Sequence, residues 1–137
     1  MATITYTVTV ASGTNQYGTG NKFYINGEVS PVLYLEEGNT YIFDQSDSTN
    51  DTHYLAFSRN PNNSPTAAYT TGVTTTGVPG TSGANTTIVV APVKKTGAPV
   101  LFYYCTVHSG MGNTAQTIPP TSGTTEFDPT MDDIIEE

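Results

Sequence analysis

The sequence predicts an all-β protein, a two-sheet Greek-key sandwich of about eight short strands. Three observations lead to it. Thr, Ser, Asn and Gly are abundant while charged residues make up only 12% of the chain, a balance that suits short strands joined by turns and disfavours long solvated helices. Apolar residues recur at a period of two rather than 3.6. Glycine, asparagine and proline clusters separate these runs at roughly even spacing. With 137 residues and a mass of 14.5 kDa, the chain is one domain's worth and can enclose a core without disulfides.

Taken in order, Ile4, Tyr6, Val8 and Val10 alternate with threonines and give a first strand with one buried face. Residues Ser12 to Asn21 read as a Gly/Asn turn region. Lys22 to Ile25 is a short strand closed by Asn26-Gly27, a hairpin dipeptide. Val32 to Leu35 and Thr40 to Asp44 are strands around the turn Glu36-Glu37-Gly38-Asn39, together resembling a second hairpin. The stretch from Gln45 to Thr52 is a loop. His53 to Ser58 then returns to strand, with His53, Leu55 and Phe57 on one face.

Arg59 to Ala84 is long and weakly patterned, with a possible edge strand at Tyr69 to Val73. Thr86 to Ala91 is a strand, Pro92 to Pro99 a turn, and Val100 to Thr106 an apolar strand suited to a sheet centre. Thr114 to Ile118 closes the domain, since neither Pro119 nor Pro120 can donate to a ladder. The expected organisation is a sandwich over 1–120 and an acidic tail over 121–137.

The formal net charge is −8, with Lys22, Arg59, Lys94 and Lys95 the only basic residues. No basic stripe is available to neutralise a phosphate backbone, which argues against direct nucleic-acid binding. Half of the acids fall in the last twelve residues, so the tail is a separate electrostatic object. There Ile134 and Ile135, next to Asp132 and Asp133, form the expected docking segment. No positive region followed by an apolar one opens the sequence, and no continuous apolar run reaches membrane-spanning length. The expectation is a protein made in the cytoplasm without a signal peptide and not inserted in a membrane.

The chemistry concentrates in Cys105, His108 and Met111, at even three-residue spacing in the loop after the most apolar strand. Thiolate, imidazole and thioether are the donors that select copper, with zinc a poorer match, and His-His-Cys with a weak axial Met is the blue-copper set. His53, the only other histidine, stands at the mouth of a different strand. A metal-free alternative stays open, in which Cys105 is a small buried hydrophobe and the histidines fill a polar end of the core. No enzyme is expected: a thiol directed into a core is badly placed for attack, and no phosphate-binding loop precedes a helix. Asp44, Asp47 and Asp51 lack the glycine and terminal glutamate of a calcium loop and read as Asx turns.

Cys105-Thr106-Val107-His108-Ser109-Gly110-Met111 resembles the short ligand loop of the cupredoxins. That resemblance implies His53, Cys105 and His108 as equatorial copper ligands and Met111 as the axial one. It departs from the pattern at Tyr54, where many cupredoxins carry an Asn that ties the ligand loops together. The strings Gly38 to Asn50, Tyr69 to Thr75, Tyr103-Tyr104-Cys105 and His108 to Gly112 are further similar to a cupredoxin-like module of tailed-bacteriophage virion proteins, especially marine and cyanobacterial ones.

This second resemblance spans about residues 4 to 118. It implies a structural virion component, such as a head decoration, knob or tail-associated protein, attached to a capsid or tail protein and forming a homo-oligomer on the particle. Two alternatives accompany it: a small blue-copper electron carrier, and a host-surface adhesion module acting through residues 59–84.

Overall fold

In the computed structural model, residues 1–90 and 100–120 are described. The expected turn at Pro92 to Pro99 and the docking residues Asp132, Asp133, Ile134 and Ile135 lie outside them. Ten strands occur among the described residues: β1 (Thr3–Asn15), β2 (Gly18–Ile25), β3 (Glu28–Val29), β4 (Leu33–Glu36), β5 (Thr40–Asp44), β6 (Leu55–Ser58), β7 (Val73–Thr76), β8 (Asn85–Val89), β9 (Val100–Cys105) and β10 (Asn113–Ile118). The helical content among the described residues is a single 3-10 turn, Ser48–Asn50. No helix among the described residues is long and apolar enough to cross a membrane.

The strands form two mixed sheets, ordered β3-β2-β1-β5-β8-β7 and β4-β10-β9-β6. Their inner faces meet in one core. The six-stranded sheet supplies Val8, Val10, Phe23, Ile25, Tyr41, Phe43 and Ile88, and the four-stranded sheet Leu33, Leu35, Leu55, Phe57, Leu101, Tyr103, Cys105 and Ala115. The rings of Phe43 and Phe57 join the layers edge to face, with centroids 5.4 Å apart. Both are fully buried, so truncating either to Ala should cost about 3–5 kcal/mol.

Three expectations about strand pairing are corrected. The Ser12 to Asn21 region is not one long turn: β1 runs on to Asn15, turns over Gln16-Tyr17, and pairs back along β2 from Gly18. Threonines on both arms, with Thr14 bonded to Thr19, keep this ribbon extended. The segments β4 and β5 are not a hairpin. Gly38 donates its N–H to Val90 and Glu37 donates to Ile118, so the turn straddles the layers: β4 pairs parallel with β10, and β5 pairs parallel with β1. The edge strand in the long segment is Val73–Thr76 rather than Tyr69 to Val73.

Other expectations hold. Asn26 and Gly27 both have positive φ, 50° and 85°, the backbone of a type I′ hairpin turn. Strand β9 lies inside its sheet, flanked by β10 and β6. This register sets Leu55 opposite Cys105, so the end of β9 and the entry to β6 converge at one end of the sandwich.

Candidate metal centre

That convergence brings three donors together. His53 stands two residues before β6 and is 7% exposed, while Cys105 ends β9 fully buried. His108 follows in the exposed loop. Cys105 Sγ lies 3.7 Å from Nδ1 of His53 and 3.9 Å from Nδ1 of His108. One donor atom from each residue falls within 4.8 Å of the others. Metal–nitrogen bonds of about 2.0 Å and metal–sulfur bonds of about 2.3 Å, spread at about 120°, place N and S about 3.7 Å apart. The sulfur–nitrogen spacings therefore match those a bound metal ion would require, and the group could hold one.

Burial, together with the neighbouring His108, lowers the pKa of His53, with Asp51 opposing. The neutral imidazole that results is the form that binds a metal. Met111 is 1% exposed and lines the same groove as His108, together with Tyr17, Thr19, Asn21 and Lys22. All four predicted ligands thus lie at one end of the sandwich, and the three strong donors are in mutual reach.

His53 is mounted from the β5–β6 connection. Gln45, 2% exposed, donates through Nε2 to the carbonyl of His53 (2.7 Å) and to Asn50 Oδ1 (3.0 Å), while its Oε1 accepts from Leu55 N–H (3.1 Å). Asn50 donates to Val8 O, and Thr49 Oγ1 accepts from Val10 N–H. These side chains continue the ladder along β1 beyond Thr7, where its pairing with β5 ends. The aspartates nearby form Asx turns: Asp44 accepts from Ser46 N–H and Asp47 from Thr49 N–H.

Mounting of the 110–113 segment comes from far along the chain. Asn63, fully buried, accepts from Gly112 N–H at 2.7 Å and donates to Tyr103 O at 2.8 Å. Its own carbonyl accepts from Gly110 N–H. Gly110 O accepts from both Lys22 Nζ (2.8 Å) and Asn15 Nδ2 (2.9 Å). Met111 O accepts from Phe23 N–H and the Ser30 hydroxyl. At Gly112 a Cβ would sit 1.8 Å from Tyr103 O, so no other residue fits.

Gln45 and Asn63 thus each hold one ligand segment, and the backbone bond from Thr106 N–H to Tyr54 O (3.0 Å) joins the two; the Tyr54 side chain itself is 42% exposed. Neither residue carried a signal in the sequence, since each is an amide in a polar loop whose partners are set by tertiary packing. Compared with models of known protein families and with curated proteins, the chain matches none.

Proposed function

We propose that this chain is a copper-holding, cupredoxin-like sandwich that serves as a structural component of a tailed-phage particle, with the metal as a stabilising staple. The observation that carries the metal half is the pair of Cys105 Sγ to imidazole Nδ1 spacings, 3.7 and 3.9 Å. His53, Cys105 and His108 would hold the ion and Met111 would approach as a weak fourth ligand, a donor set that favours copper over zinc. An ion bound only by the folded state stabilises it, by about 2.7 kcal/mol at a hundredfold excess over Kd.

The particle half rests on the resemblance of the strings Gly38 to Asn50, Tyr69 to Thr75 and His108 to Gly112 to phage virion modules. Attachment to a capsid or tail protein would run through residues 121–137, with Ile134 and Ile135 as anchors between acids.

Two experiments test this reading. Cu(II) added to the purified protein should raise an intense visible thiolate-to-copper absorption that Cys105→Ala abolishes; a colourless titration would remove the type 1 site. Truncation at Ser122 should release the protein from particles, and full occupancy by the shortened chain would defeat tail docking. One observation favours a second reading, electron transfer. His108 is exposed while its two partners are buried, so one edge of the donor set faces outward. Bound copper would supply one-electron exchange there, and rapid self-exchange of the copper protein would favour that role over a staple.

A further inference from the structure

Lys22 is out of place in this fold. It is 3% exposed, and a buried ammonium is costly unless something compensates its charge. Its Nζ donates to Gly110 O, yet Asn15 already donates to that oxygen, so a neutral residue performs the tie. No acidic side chain is among the residues lining the groove that Lys22 shares with His108 and Met111. The next residue, Phe23, bonds directly to the Met111 carbonyl. What Lys22 adds beyond Asn15 is positive charge in the groove that His108 and Met111 line.

We infer that Lys22 is a specificity-determining residue for the metal group, its fixed charge favouring a monovalent ion over a divalent one. The inference rests on the copper reading above. The charge argument is short. With a thiolate ligand, a monovalent ion gives a neutral cluster, which a neighbouring ammonium barely repels. A divalent ion leaves a cluster of net charge +1, and the ammonium opposes it through a partly buried, weakly screened medium. Cu(I) is therefore favoured over Zn(II) and Cu(II) beyond what the ligands alone dictate.

The test compares Cu(I), kept reduced, with Zn(II), each measured on the full chain by competition with a chelator of known affinity. Lys22→Met should strengthen Zn(II) relative to Cu(I) roughly tenfold, the order expected for one unit charge in such a site. Lys22→Arg should restore the native ratio. Asn15→Ala removes the neutral donor to the same oxygen and should weaken both ions alike. Asn21→Asp, at an exposed position on the groove, adds a compensating carboxylate without emptying the core and should also move the ratio toward Zn(II). A ratio within about twofold of native in both Lys22→Met and Asn21→Asp would overturn the inference while leaving the copper site standing. Failure of the native chain to bind either ion would instead overturn the copper reading itself.

Discussion

The two mounts of the candidate metal group are built on opposite plans. His53 is held mainly by neighbours: Gln45 lies eight residues away and the Asp47 turn closes between them. The 110–113 segment is held by Asn63, Asn15, Lys22 and Ser30, partners 47 to 97 residues distant, through bonds that cross from β1, β2, the residue after β3 and the 59–84 segment. The local mount closes within its own turn and reaches beyond it to β1, through Asn50 and Thr49. The distant one exists only when both sheets are packed, so it couples the geometry of the Met111 loop to the integrity of the whole sandwich.

The largest expected effect tests that coupling where it is tightest. Gly112→Ala drives a methyl into Tyr103 O and should cost about 3 kcal/mol or more, measured by urea unfolding of the metal-free protein; a near-neutral result would show the loop free to move. Next is Asn63→Ala, which strands the Gly112 N–H and the Tyr103 carbonyl in the core and should cost about 3 kcal/mol. Gln45→Leu strands His53 O and Leu55 N–H and should cost about 2 kcal/mol. If the mounts are separate, the double variant sums to within about 0.5 kcal/mol. A coupling above about 1 kcal/mol would merge them into one network.

The smallest effect lies in the local mount and depends on pH. Hydrogen bonds from the Thr49 hydroxyl and Thr49 N–H hold the Asp47 carboxyl below its ordinary value of 3.8. With the folded value depressed, its contribution is complete above the unfolded pKa and fades as pH falls through the folded one. Asp47→Asn should therefore be slightly less stable than the native chain at neutral pH and match it in strong acid. A difference independent of pH would assign the effect to packing instead.

How much of this was written in the sequence follows the same division. Alternation along Ile4 to Val10 announced a strand with one buried face, and the unbroken apolar run from Val100 to Cys105 announced a central one, because both patterns report burial directly. The spacing of Cys105, His108 and Met111 and the entry point of His53 located the donor set, and the aspartate loop was legible as Asx turns. What remained illegible was nonlocal. Residues Glu36 to Asn39 look like a hairpin turn because turn chemistry is the same whether the chain returns along its own sheet or crosses to the other. Only pairing with Ile118 and Val90 decides between them. Asn63 and Lys22 were hidden for the same reason, being polar residues whose burial depends on strands distant in the chain.

Because β4 turns away from β5, its one sheet partner among the described residues is β10, near the end of the domain, and that pairing is parallel. During synthesis β4 must therefore wait, unpaired, until β10 has emerged and slotted between it and β9. Such long-range parallel closure is slow. The donors His53 and Cys105 can meet earlier, since β6 and β9 pair with each other directly. A half-built chain would then already hold an imidazole and a thiol side by side while β10 is still being made, leaving the nascent protein open to metal capture or thiol oxidation before its core is sealed.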